Sequence, residues 1–152
     1  MSKELKESKK IKEPRKEVKE FKNKVLMPIK PKYANQILDG TKKFEYRKNK
    51  IRKEIVRSII IYATVPVKKV IGEAEIVDII EDTPENIWNQ THEHSGISKK
   101  DYDKYFKGKD TAVAYVLGNT KKYNKEKSLA KFDICYYPQS YVYVSFPDNS
   151  SE

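Results

Sequence analysis

One cysteine and two histidines among 152 residues leave little for covalent or metal cross-linking. The lone thiol, Cys135, excludes an internal disulfide. A metal site built on His92 and His94 would have to recruit remote carboxylates, so these histidines read as polar helix and loop residues, and no metal or cofactor is expected. Long apolar runs are lacking too. None approaches the ~20 residues that span a bilayer, and the N-terminus has no apolar core of the signal-peptide kind. A reducing, cytoplasmic setting without membrane attachment is the expectation. The length and a hydrophobic content of 38% suit one packed core rather than two domains with linkers. No internal repeat or low-complexity tract breaks up that core.

What is present in excess is positive charge, 32 Lys and Arg against 22 Asp and Glu, for a formal net +10. Such a surplus concentrates polyanions nearby, without distinguishing RNA from DNA or a membrane surface. Half of it lies in residues 1–24, where nine lysines and one arginine face five glutamates. Beyond Met1, that stretch has only Leu5, Ile11, Val18 and Phe21 as sizeable apolar residues, with Pro14 interrupting them, too little to offset the entropy of ordering. Residues 1–24 are therefore expected to form a disordered basic arm, either a salt-sensitive phosphate tether or a solubilising extension. Residues 147–152 read as a disordered C-terminal end, which leaves 25–146 as the folded domain.

Within it, residues 25–29 read as a first strand, placed at an edge by Pro28 and Pro31. Residues 31–38 read as a helix with proline at its opening and Gly40 just past its end. Residues 43–47 alternate, with Phe44 and Tyr46 on a core face and Lys43, Glu45 and Arg47 on a charged one. Residues 58–63 suit a strand covered on both faces, and 70–80 a long strand bent at Gly72. Thr83 and Ser98 are N-cap candidates for two further helices. Strands are expected at 111–117, 132–136 and 141–146. Short strands at both ends, helices inserted between them and no βαβ rhythm indicate a mixed α+β barrel.

The spacing Gly40-x-Lys42-x-x-Glu45-x-Arg47 carries the chemistry. A tight turn is expected to expose Lys42, and the strand after it to present Glu45 and Arg47 beside it at the helix-barrel junction. Arginine offers a planar fork, lysine a point charge and glutamate an acceptor for an exocyclic amine. The plainer reading is a surface ion pair between Glu45 and Arg47. Trp88 reads as core rather than as a stacking platform. Tyr141 and Tyr143 alternate with Val142 and Val144, either as half-buried barrel residues or as a stacking face beside Tyr136 and Tyr137. Cys135 is expected to be buried and inert. Lys121, Lys122, Lys125 and Lys127 read as a phosphate-binding rim or a solvated loop.

Taken in order, VLMPIKPKYANQILDGTKKFEYRKN, SIIIYATVPVKKVIGEAEI, TPENIW, SGISKKDYDKYFKG and YYPQSYVYV resemble the ASCH family of the PUA-like superfamily. The G-x-K-x-x-E-x-R segment is the most specific part, supported by IYAT-x-P and VIGEAEI, and the resemblance spans nearly all but the tails. It implies an α+β fold, a PUA-like small β-barrel with flanking short helices. The cleft it implies is lined by Gly40, Lys42, Lys43, Glu45 and Arg47, joined by Tyr62 and Thr64 from a strand end. It also implies RNA or a modified nucleoside as partner, often in a regulatory role.

Some small members of the family resemble amidohydrolases acting on acylated cytidine, through a lysine, a threonine and a later glutamate. Lys42 matches that set. Glu45 stands where the threonine would, and the later glutamate falls near Ser95, with Glu93 and His94 close but not aligned. Without the hydroxyl nucleophile that mechanism is not expected to operate unchanged. An enzyme would use Glu45 as general base with Lys42 as its electrostatic partner. The expectation is thus an RNA- or nucleobase-binding module. Its alternatives are a hydrolase of N-acylated cytidine or of RNA, and an adaptor in a transcription or translation complex; protein partners and oligomeric state stay open.

Overall fold

The computed structural model describes residues 23–52 and 56–145. The C-terminal end and all but the last two residues of the basic arm lie outside that range. Lys24, read as arm, instead opens the first strand, β1 (Lys24–Ile29). Helix α1 (Pro31–Leu38) follows, with Pro31 at its first turn. Then come β2 (Phe44–Arg47), β3 (Ser58–Ala63) and β4 (Lys69–Asp82). Helix α2 (Pro84–Thr91) is capped by the Thr83 hydroxyl, which accepts from the Asn86 amide. Helix α3 (Lys99–Tyr105) is capped in the same way by Ser98, which accepts from Asp101. The long strand β5 (Ala112–Lys127) and the short β6 (Val142–Val144) complete the chain.

All six strands of the described residues share one sheet in the order β2-β5-β4-β3-β1-β6. β1 runs parallel to β3 and antiparallel to β6, so it is interior rather than the edge strand that its prolines suggested. Pro28 is tolerated because it lies beyond the stretch of β1 that pairs with β6. β4 and β5 pair along most of their length, with register slips between Val70 and Gly72, Ala74 and Ile76, and Ile76 and Asp78. The bend expected at Gly72 falls at the first of these slips, and together they curl the sheet.

The curl stops short of closure, so the expected barrel is an open, strongly bent sheet. Its two end strands, β2 and β6, have only four and three residues. Side chains bridge the gap instead of a backbone ladder. Arg47 at the end of β2 donates from Nη2 to the Pro28 carbonyl of β1 at 2.8 Å, and the Arg52 amide donates to the Tyr143 hydroxyl on β6 at 3.1 Å.

Alternation sorts the core. Val25, Met27, Ile29, Ile59, Ile61 and Ala63 face inside the curl with Ala34 and Ile37 of α1, while Leu26, Ile60 and Tyr62 face out against Tyr123, Phe132 and Ile134. β1 and β3 are thus covered on both faces, which is why they read as unbroken apolar runs. A third cluster joins Tyr46 of β2 and Ala112 and Ala114 of β5 to Ile87, Tyr102 and Phe106, with half-buried Trp88 packed against it.

Three expectations fail toward the C-terminal end. Residues 132–136 are not a strand: Leu129–Phe132 form a 3-10 turn and Asp133 takes a left-handed conformation at φ 62°. That reversal lets Phe132 and Ile134 both enter the outer core while leaving Cys135 exposed rather than buried. Lys121, Lys122, Lys125 and Lys127 belong to β5, not to a loop, because the backbone of β4 pairs with this polar stretch. Tyr141 and Tyr143 do pack together on the inner side, away from Val142 and Val144. No described helix is long and apolar enough to cross a membrane.

Candidate functional site

The site begins where α1 ends. Gly40 adopts φ +90°, a left-handed conformation that ends the helix, and the amides of Thr41 and Lys42 both donate back to the Gln36 carbonyl at 3.1 Å. The turn does not expose Lys42 as expected; it sends the side chain inward, leaving it 3% exposed. The backbone of Lys43 is held on both sides, its amide donating to the His94 carbonyl at 2.9 Å and its carbonyl accepting from Leu117 at 3.0 Å. This fixes the path of Lys42 beneath the loop after α2.

There the Lys42 ammonium donates to the Ser95 carbonyl at 2.5 Å and sits over two rings, 4.8 Å from the centre of Tyr46 and 5.1 Å from that of Tyr33. Gly96 makes this possible. Its φ is +69°, and a Cβ there would lie 2.8 Å from the Lys42 side-chain carbons. Burial lowers the Lys42 pKa to about 8, against the opposing attraction of Glu45. The neutral amine is therefore far more accessible near pH 7 than that of an ordinary lysine. Tyr46 is held from behind. Its hydroxyl donates to Thr91 at 2.7 Å, because Thr91 already donates to the Ile87 carbonyl, and burial pushes the phenol up to about 12.

β2 supplies the opposite wall. Glu45 is 7% exposed and accepts from Arg47 Nε at 3.0 Å, while the same guanidinium reaches the Pro28 carbonyl. This is a shielded, anchored pair rather than a surface one. Together with Lys42 it borders an open cavity of about 500 Å³ whose rim is completed by Lys30, Tyr33, Lys48, Asp101, Lys104 and Tyr105. Its lining thus carries five cations against two carboxylates. Burial raises the Tyr33 phenol above its ordinary range, helped by the charges of Asp101 and Glu45, and burial does the same to Tyr105.

Of the residues singled out in the sequence, Lys42, Glu45 and Arg47 come together on this cavity. Gly40 and Lys43 are exposed and do not line it; they belong to the backbone turn that delivers Lys42. Tyr62 lies elsewhere, in the outer core, because β3 turns that face away from the cavity. Thr64 sits past the end of β3, where its amide donates to the Ile29 carbonyl at 3.0 Å. Tyr33, Asp101, Lys104 and Tyr105 carry no motif. They lay within segments that resemble the family, but nothing there singled them out as site residues, and their convergence follows from the curl of the sheet. Ser95 does reach the site, through its carbonyl. Among the described residues no group of three or more His, Cys, Asp or Glu is placed to hold a metal ion.

The ASCH domain family model matches residues 27–127. The chain belongs to the ASCH domain family. Over 122 residues this ASCH chain is 32% identical to the large ribosomal subunit protein uL22 of Ureaplasma parvum, a match that covers 79% of the chain but 39% of that protein. The chain therefore spans about two fifths of the length of this relative. It is 33% identical over 87 residues to an ASCH domain-containing ribonuclease of Zymomonas mobilis, covering 57% of this chain and 59% of the other. The crystal structure of ASCH from Zymomonas mobilis superposes with a TM-score of 0.73 at 25% identity, covering 80% of this chain and 87% of that one.

Proposed function

We propose that this ASCH domain binds RNA, receiving one nucleotide of a single strand in the cavity around Lys42. The observation that carries the reading is the lining itself: five cations to hold phosphate, with the rings of Tyr33 and Tyr105 at the rim to stack on a base. Glu45, fixed by Arg47, offers a carboxylate to an exocyclic amine. The ribonuclease relative from Zymomonas mobilis points to the same class of ligand.

A second reading, cleavage of the bound RNA, is favoured by Lys42. Attack of a 2′-hydroxyl on the adjacent phosphorus forms a 2′,3′-cyclic phosphate and breaks the bond to the 5′ oxygen, which leaves as a hydroxyl by taking a proton from water; the step needs a group to take the 2′-hydroxyl proton and a cation to hold the developing charge. An ammonium lowered to about 8 is partly neutral near physiological pH and suits the first task; Arg47 suits the second. No hydroxyl stands at position 45 to serve the alternative, amide hydrolysis on acylated cytidine.

Fluorescence anisotropy with labelled single-stranded RNA tests the binding reading. Arg47→Ala and Lys42→Met should each weaken association, and unchanged affinity in both would overturn it. Electrophoresis of the same RNA after incubation separates binding from cleavage. Release of cytidine from an N-acylated probe would point to the amidohydrolase instead.

A further inference from the structure

A second open cavity, of about 960 Å³, adjoins the first. Arg47, Lys48 and Tyr105 line both, so the two form one groove that turns past the ends of β2 and α3. Beyond the shared wall the lining adds Lys50 and Arg52, with Glu81 as its carboxylate and Tyr141 at the far side. Four cations thus face one carboxylate in the second cavity, between two rings.

The placement of Lys50 and Arg52 is built rather than incidental. Between them Ile51 is 3% exposed, and its amide donates to the Tyr115 hydroxyl at 2.8 Å. The Arg52 amide is tied to Tyr143 in turn. With the backbone pinned inward at Ile51, its two basic neighbours are both turned to solvent along the groove. At the shared wall, Lys48 stands 4.7 Å from the centre of the Tyr105 ring, which places a phosphate-binding charge beside a stacking surface.

Resting on the RNA reading above, we infer that the second cavity is the subsite for the neighbouring nucleotides, so that the groove selects an oligonucleotide strand over a lone nucleoside or mononucleotide. One nucleotide occupies the Lys42 cavity, the next ones occupy the second cavity, and the linking phosphates run over Arg47, Lys48, Lys50 and Arg52. Rings and cations alternating along a groove grip a strand through its backbone and its base faces with little demand on sequence.

The test compares matched 2′-O-methyl probes, which resist cleavage through the 2′ oxygen: a mononucleotide and a tetranucleotide, titrated into the full chain at two salt concentrations. The tetranucleotide should bind the unmodified chain at least about tenfold more tightly than the mononucleotide. In the double variant Lys50→Ala, Arg52→Ala that advantage should fall by about tenfold. The salt slope for the tetranucleotide should shrink by roughly 1.4, from two lost phosphate contacts at about 0.7 each. Restoring charge with Lys50→Arg, Arg52→Lys should return most of the advantage. Equal affinity for both probes, or an undiminished advantage in the double variant, would overturn the inference while leaving the single-nucleotide reading standing. Failure of the unmodified chain to bind either probe would remove both.

Discussion

Replacing Lys42 with methionine should stabilise the protein while weakening RNA binding. Lys42 is buried, and its pKa of about 8 against an ordinary 10.5 corresponds to roughly 3 kcal/mol of penalty on the protonated form, at about 1.4 kcal/mol per pH unit. Methionine fills nearly the same space without the charge. It leaves the Ser95 carbonyl without its donor, which costs about 1–2 kcal/mol. The net expectation at pH 7 is a gain of about 1–2 kcal/mol, or roughly 5 °C in Tm for a chain of this size. The pH dependence identifies the cause. Between pH 8 and 10.5 the unfolded lysine still holds its proton while the folded one has lost it, so the penalty fades and the unmodified protein gains stability as pH rises. The variant lacks that gain. Urea unfolding from pH 7 to 10 should therefore show the advantage of Lys42→Met shrinking steadily and then reversing. Other titrating groups are common to both proteins and cancel in the difference. A variant less stable than the parent at pH 7, by a margin that does not change with pH, would refute the reasoning.

Glu45→Gln should lower the Lys42 pKa below about 8, because the attraction that holds it up is lost, a change that NMR titration of the lysine side chain reads directly; an unmoved titration would mean the two groups do not interact. The same substitution takes a charged partner from Arg47 and should cost about 1–3 kcal/mol in urea unfolding. Gly96→Ala and Gly40→Ala both strain a left-handed residue, but Gly40 has open space around it whereas a Cβ at Gly96 meets Lys42, so denaturation midpoints should show about 1 kcal/mol lost at Gly40 and clearly more at Gly96. Tyr105→Ala should weaken RNA binding by about 1–3 kcal/mol while Tyr105→Phe retains it, as stacking predicts; equal losses would implicate the hydroxyl.

Helices were the legible part of the fold, because their ends carry local chemistry: Pro31 and Gly40 bracket α1, and the hydroxyls of Thr83 and Ser98 cap α2 and α3. Strands were legible where burial on both faces made the sequence continuously apolar, as in β3. The second half of β5 was not, since Gly118, Asn119 and its lysines have no strand preference and are held by pairing with β4, a tertiary effect. The run from Phe132 to Tyr136 misled because a short apolar stretch cannot report the left-handed turn at Asp133 that splits it. At the site, the motif named Lys42, Glu45 and Arg47, but spacing alone placed Lys42 in solvent. Its burial depends on Gly96, fifty-four residues away, and on two rings from different elements. Whether the sheet closes depends on its curvature and on the register of β4 against β5, which no residue pattern records.

RNA held in the cavity bordered by Lys42, Tyr33 and Tyr105 would lie against aromatic rings. Ultraviolet crosslinking of the full chain to single-stranded RNA, with the attached peptides mapped by mass spectrometry, tests this placement most directly. Adducts are expected on the peptides containing Tyr33 and Tyr105, reduced in Arg47→Ala. Adducts confined to residues 1–22, with both tyrosine peptides unmodified, would contradict it.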